Sequence, residues 1–570
     1  MRAGATSTPC IGLRRWAGRG QRTGHRHIGF PRNLGGPVVP IRKLAGGCQT
    51  RKLQAPRSAP DLTGDTKIDA SEWYCQAKAT KRGKKGGRAS ERLIVPAKQG
   101  NRFRLDPGEG RGRRVTDLLG GNMTSASELD YVSTKQQQIA ELAKQCPQMG
   151  FTSLAHHIDL RWLHEAYLRT RTDGAAGVDG QTATEYTAHL GDNLRSLLER
   201  AKSGTYRAPP VRRVHIPKGT GAETRPIGVP TFEDKILQRA VVMVLEAVYE
   251  QDFRNCSYGF RPGRSAHQAL DSLWQQTMGM RGGWVVEVDI RKFFDTLDHA
   301  QLRELLRQRI RDGVLLRLIG KWLHAGVLED GNLTVPEQGT PQGGVISPLL
   351  ANVYLHYVLD VWFEQEVQPR LRGRAFLIRY ADDLVIGFAC EDDARRVLDV
   401  LPKRFGKYGL TLHPDKTRLV PFRPPVRPKD SSSSQGSGPG TFDFLGFTHL
   451  WGRSRQGVWV VKRRTAGSRL RRAIRTVAQW CRFHRHRPVA EQHRTLSQKI
   501  RGHCAYYGIT GNGGALHRFR DAVTRAWRKW LSRRTRGNPV SWDRVTRLLA
   551  RFPLPAAVVV HSVYRAAANP

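Results

Sequence analysis

The stretch FLIRYADDLVIGFA, residues 376–389, holds two adjacent aspartates, Asp382 and Asp383, between two apolar runs. Their charges repel at the point where two buried-looking segments meet, and few chain geometries tolerate that. Phe376 to Arg379 and Leu384 to Phe388 read as short core strands with a tight turn between them. Asp suits such a turn, so an ordinary hairpin accounts for the pair. Convergence on a divalent cation also accounts for it, because coordination removes the repulsion. This segment alone leaves both readings open.

A third carboxylate bears on the choice. The run WVVEVDIRKFFDTLDH, residues 284–299, starts as a strand from Trp284 to Ile290 and breaks into a helix start flanked by aromatics. Asp289 stands at the end of that apolar run, where a polar group is costly without a partner or a task. Capping the following helix is one explanation. The other is a three-carboxylate set, with Asp382 and Asp383, delivered by two strand ends. Nucleotidyl transfer needs such a set, because two Mg²⁺ ions must sit together over a primer hydroxyl and a triphosphate.

Charge narrows the partner. The 570 residues carry 94 Lys+Arg against 49 Asp+Glu, a formal net charge of +45. Self-repulsion on that scale calls for a polyanion, and nucleic acid is the default. A membrane-surface role fits poorly, since no amphipathic basic helix stands out and no apolar run is long enough to span a bilayer. The 8 cysteines are scattered without a Cys-x-x-Cys pair, which argues against a zinc module or a disulfide framework and fits a reducing compartment. There is no secretory signal, and a bacterial cytoplasmic location associated with the nucleoid is expected.

Length implies several domains. Residues 1–122 lack any acid before Asp61, are dense in Gly, Pro and Arg, and contain KRGKKGGR at 81–88. They read as a disordered basic extension, a transit peptide, or upstream sequence ahead of a true start at Met123, where helical spacing begins. From there to about residue 420, helices alternate with short strands. The tract 423–440 is rich in Pro, Ser and Gly and reads as a flexible hairpin tip, because FDFLGFTHL after it looks like a returning strand. Residues 465–535 read as basic helices with interleaved aromatics.

The motif series is more specific than any of its members. YADD at 380–383 looks like the palm signature of reverse transcriptases, and GTPQGGVISPLLANVYL at 339–355 resembles the motif before it. SYGFRPGRSAHQAL at 257–270, the segment 211–238 and GAAGVDGQT at 174–182 match in the same order. The chain from about 123 to 560 resembles the bacterial group II intron reverse transcriptase/maturase family. The resemblance implies an α+β right-hand polymerase. Its parts would be an N-terminal block and fingers at 123–285, a palm with antiparallel sheet and helices at 286–462, a helical thumb/maturase domain at 463–535, and a DNA-binding-like tail at 536–570.

It also implies roles. Asp289, Asp382 and Asp383 would bind two Mg²⁺ ions (Mn²⁺ as substitute), with a backbone carbonyl from Ile290. Lys218 and Arg225 would grip the triphosphate, the fork of Arg suiting bidentate contact. Phe294 would disfavour a ribose 2′-hydroxyl, and Gln342 would lie against nucleotide and template. Gly343 and Gly344 would let the backbone approach nucleic acid. Lys416 would protonate pyrophosphate or sit solvated on the surface. Tyr380, Leu445 and Gly446 would hold the primer end. Arg501, Arg528, Lys529, Arg533 and Arg534 would contact RNA phosphates, while Tyr506 and Tyr507 read as core aromatics. Partners would be intron RNA, RNA template, DNA primer or target DNA and dNTPs, with a homodimer left open. No paired cysteines like those of the family's HNH endonuclease follow residue 540, so endonuclease activity is not expected. A splicing-only maturase and a domesticated or defence-associated reverse transcriptase are the alternatives. The intact aspartate triad speaks for polymerisation.

Overall fold

The computed structural model describes residues 125–217, 224–329, 331–335, 338–340, 343–425, 440–534 and 540–562. The expectations for the extension 1–122, for most of the 423–440 tract, and for Lys218 and Gln342 lie outside these residues.

Helices α1 (Ser125–Gln145), α2 (Leu160–Leu168), α3 (Ala183–Ala188) and α4 (Leu190–Ser203) come first. Side-chain caps fix two of their starts: Asp159 accepts from the Trp162 N–H, and Thr182 and Glu185 cap one another. Strands β1 (Val211–Pro217) and β2 (Thr224–Val229) pair antiparallel and lead into α5 (Phe232–Asp252), capped by Thr231. The apolar residues of α5 are not confined to one stripe, so it is buried on nearly every side and runs through the largest core. Helix α6 (Ala266–Gly279) then precedes β3 (Gly283–Asp289).

After β3 the chain turns through Phe293–Asp295 into α7 (His299–Arg307) and α8 (Gly313–Leu323). Asp298 caps α7, so Asp289 is not a helix cap. Strands β4 (Val327–Glu329) and β5 (Asn332–Thr334) complete a sheet ordered β2-β1-β4-β5. Helix α9 (Ser347–Leu355) continues into a π-helical turn, His356–Asp360.

The hairpin β6 (Ala375–Tyr380) and β7 (Asp383–Phe388) follows, then α10 (Glu391–Lys407) and β8 (Arg418–Phe422). These strands form an antiparallel sheet ordered β6-β7-β3-β8. One face, with Val286, Val288, Leu384 and Ile386, packs in the α5/α10 core. The other, with Val285, Val385, Phe376 and Phe422, packs on α6 and on the next sheet. Coverage of both faces explains why these strands read as continuous apolar runs.

Strands β9 (Phe442–Phe444), β10 (Phe447–Arg453) and β11 (Trp459–Thr465) form that next sheet. The Gly440 N–H donates to the Pro421 carbonyl, so the 423–440 tract leaves and returns at one place. Helices α11 (Gly467–Phe483), α12 (Val489–Tyr507) and α13 (Gly513–Leu531) share a third core around Trp527, whose indole donates to Gln492 at 2.8 Å. Helix α14 (Trp542–Arg551) and Leu554 pack on it, and His561 bridges to Ile509. No described helix is long and apolar enough to cross a membrane.

Candidate active site

Register brings the three aspartates together. In the β3–β7 pairing Asp289 lies directly opposite Asp383, which places their Cα atoms about 4.5–5.5 Å apart. Asp382 occupies the two-residue turn that joins Tyr380 to Asp383. Three carboxylates therefore crowd one sheet end, at the rim of the face shared with the β9–β10 hairpin. Ala381, the other turn residue, has φ +58, a left-handed conformation that costs a non-glycine residue about 1–2 kcal/mol. The turn is pressed from behind by the 257–263 segment: a Cβ on Gly259 would lie 2.4 Å from the Ala381 nitrogen.

The electrostatics are those of a cation site. Asp383 is exposed at the open end of β7. The protein packed behind it still weakens solvation of its charge, and this, with the charges of Asp382, Asp289 and Glu287, pushes its carboxyl up to about 7; the Leu445 N–H opposes the rise. Enclosure also raises Asp382, with Asp289 adding to it and Arg225 and Arg379 opposing. The donors are carboxylate oxygens, the ligands that hard divalent cations take. Among the described residues no three acidic, His or Cys side chains are already closed round one point. Lys416 Nζ lies 2.9 Å from Asp289 Oδ2. An ammonium thus stands at the carboxylate that an ion would use, and the donor set fits the group.

Asp383 stands between two clefts. One, of about 400 Å³, is lined by Glu287, Asp289, Lys416, Arg418 and Asp443. The other, of about 450 Å³, is lined by Leu445, Gly446, Arg469, Arg472 and Arg475. Leu445 and Gly446 form a two-residue β-turn with φ +49 and +79, the left-handed pair that matches strand twist in a tight hairpin. Tyr506 Oη donates to the Leu445 carbonyl at 2.9 Å, and the Ala466 N–H donates to Gly446 at 3.0 Å. Tyr506 and Tyr507 are half-buried against Phe447, the core role read from the sequence.

The remaining residues divide. Arg225 is exposed on β2, and its charge reaches Asp382. Ile290 is buried opposite Leu412, where the flanking Asp289 carbonyl and Arg291 N–H make the bonds. Phe294 is half-buried, and its carbonyl accepts from Thr340 at 2.7 Å, tying it to the GTPQGG segment. Tyr380 is half-buried beside Phe260. Gly343 has φ +123, and a Cβ there would lie 2.3 Å from the Gly228 carbonyl. It therefore permits a close approach to β2 of its own chain, while the residue itself stays exposed. Arg501 and Lys529 are exposed. Arg528 instead donates to the Val540 carbonyl and lies 4.3 Å from the Trp542 ring, tying down α14, and Arg534 binds the carbonyls of Arg485 and Arg487.

Sequence reasoning missed a buried polar cluster behind the turn. Arg379, 0% exposed, forks onto Asp360 at 2.8 and 2.5 Å and reaches Asn352 Oδ1 and the Ala381 carbonyl. Its signal was a lone Arg in the apolar run before YADD.

An antiparallel palm sheet carrying three carboxylates at one end, flanked by a fingers sheet and a helical thumb, defines a template-directed nucleotidyltransferase. The comparisons with known proteins sharpen this. Residues 216–449 match the family model "Reverse transcriptase (RNA-dependent DNA polymerase)", and residues 470–549 match "Group II intron, maturase-specific domain". Protein YkfC of Escherichia coli (strain K12) is 35% identical over 328 residues, covering 50% of this chain and 84% of that protein. The Group II intron-encoded protein LtrA of Lactococcus lactis subsp. cremoris is 45% identical over 186 residues, 32% of this chain and 31% of its own length. An uncharacterized 91 kDa protein in the cob intron of Schizosaccharomyces pombe is 40% identical over 173 residues, covering 30% of this chain and 21% of that protein. The chain belongs to the group II intron-encoded reverse transcriptase/maturase family.

Proposed function

We propose that the chain copies RNA into DNA at the Asp289–Asp382–Asp383 site and also binds its intron RNA, assisting splicing and mobility by target-primed reverse transcription. The observation that carries this reading is the register that sets Asp289 against Asp383 beside the Asp382 turn. Two Mg²⁺ ions held there, with the Ile290 carbonyl as a further ligand and Mn²⁺ as a substitute, would acidify a primer 3′-hydroxyl and neutralise the triphosphate. The chain's own groups do the rest. Arg225, with Lys218 beyond the described strand end, orients the triphosphate. Gln342 and Gly343 shape the nucleotide pocket, and the Phe294 ring excludes a ribose 2′-hydroxyl. Lys416 Nζ, bound to Asp289 in this structure, carries the proton that the departing pyrophosphate oxygen takes up. Tyr380 and the Leu445–Gly446 turn support the primer end. Arg501 and Lys529 offer exposed charge to RNA phosphates, while Arg528 acts through α14. The reading places this work in the bacterial cytoplasm, where intron RNA and target DNA are found.

The test is primer extension on an RNA template by the purified chain with Mg²⁺, in parallel with intron splicing at low Mg²⁺. Asp382→Ala with Asp383→Ala abolishes extension and leaves intron RNA affinity near normal. A double variant that still extends the primer contradicts the assignment.

A further inference from the structure

Arg379 sits in β6, opposite Leu384, and its side chain enters the α5/α10 core. A guanidinium there is costly unless every donor is satisfied. Asp360, presented by the π-helical turn after α9, satisfies Nε and Nη2 as a bidentate partner. That pair alone would neutralise the charge. The third arm does something else: Nη1 donates to Asn352 Oδ1 at 2.9 Å and to the Ala381 carbonyl at 3.1 Å. Asn352 in turn donates to the Gly259 carbonyl at 2.7 Å, and Gly259 is the residue pressed against the Ala381 nitrogen. The backbone of Arg379 is held as well, its N–H donating to Cys256 and its carbonyl accepting from Tyr258. The left-handed residue just before Asp382 is thus held at its carbonyl by Arg379 and packed closely against Gly259 on its nitrogen side, with Asn352 linking Arg379 to Gly259.

We propose that Arg379 is a positioning residue for Asp382: its fork, locked by Asp360 and Asn352, fixes the Ala381 carbonyl and thereby aims the Asp382 carboxylate at the point where Asp289 and Asp383 meet. This rests on the reading of those three aspartates as the metal site. It predicts a particular kind of defect. Loss of the fork loosens the turn, so metal binding weakens while the fold and the nucleic-acid surface persist. A side chain with a purely structural role would lower stability, nucleic-acid affinity and activity together.

The experiment uses the full chain. Arg379→Met combined with Asp360→Leu removes the buried pair as a unit, a replacement that cores commonly accept. Binding of Mn²⁺ alone is followed by electron paramagnetic resonance, beside the thermal midpoint, primer–template Kd and extension kinetics. The Mn²⁺ midpoint is expected to rise roughly tenfold or more, the usual effect of removing a group that orients a metal ligand. Primer–template Kd and thermal midpoint stay near wild type, and kcat falls with the loss of metal. Arg379→Lys, which keeps the charge without the fork, gives a smaller rise. If the Met/Leu variant does not fold, Asn352→Ala carries the test, and its Mn²⁺ midpoint must still rise. Wild-type Mn²⁺ affinity in a folded Met/Leu or Asn352→Ala variant overturns the positioning role. Undiminished Mn²⁺ binding by Asp382→Ala with Asp383→Ala overturns instead the site reading on which it rests.

Discussion

Asp234, fully buried at the start of α5, gives a prediction whose size can be worked out. Its carboxylate accepts from Tyr206 Oη and Trp322 Nε1, both at 2.6 Å, and from Gln238 Nε2 at 3.0 Å. Gln238 in turn accepts from the Ile346 N–H, so this cluster supports the segment that follows Gly343. Burial outweighs these donors and raises the carboxyl from 3.8 to about 6. The folded state therefore binds the proton more tightly than the unfolded chain. The stabilisation this supplies is complete below about pH 4 and is lost as pH rises to about 6, a change of about 3 kcal/mol. Asp234→Asn keeps the shape and both short contacts but cannot ionise. The variant should be the less stable protein near pH 4.5, where one Gln238 contact is weakened. Relative to wild type it should gain about 2 kcal/mol between pH 4.5 and pH 7, several degrees in melting midpoint. Thermal melts at half-unit steps from pH 4.5 to 8 read the difference directly. Parallel curves for the two proteins would refute the burial argument.

Two further substitutions probe the pocket. Phe294→Val should raise ribonucleotide incorporation relative to deoxyribonucleotide, measured by single-nucleotide extension; unchanged sugar selectivity rejects the gate. Gly343→Ala must relieve both a left-handed φ and a 2.3 Å approach to Gly228, so it should displace the loop from β2. A rise in KM for dNTP of roughly tenfold, with primer–template affinity unchanged, is the expected readout, and a wild-type KM would show that the contact is dispensable.

Much of the site was legible because it depends on local pattern. Apolar runs ending in Asp289 and flanking Asp382–Asp383 specify strand ends, and only their pairing register was left to the tertiary fold. FDFLGFTHL read as one returning strand, yet the chain reverses within it at Leu445–Gly446 to make the β9–β10 hairpin. What the sequence hid is long-range. Nothing near Arg379 in sequence announces that Asp360 and Asn352 will meet it, and nothing near Leu445 announces Tyr506 Oη. Gly343 carries a second constraint that the sequence did not show: a glycine marks a close approach without saying to what, and one neighbour here is Gly228 of β2. Arg528 likewise counted toward the basic charge, yet its guanidinium is occupied by Val540 and Trp542.

The central claim is that one cation is shared by Asp289, Asp382 and Asp383, and it can be read from the chain itself. Fe²⁺ loaded in place of the native ion generates hydroxyl radicals that cut the backbone near where it is bound. Cleavage is expected at the end of β3 and at the β6–β7 turn, suppressed by excess Mg²⁺ and absent from Asp382→Ala with Asp383→Ala. Cuts confined to other segments, or the same two cuts persisting in the double variant, would contradict it.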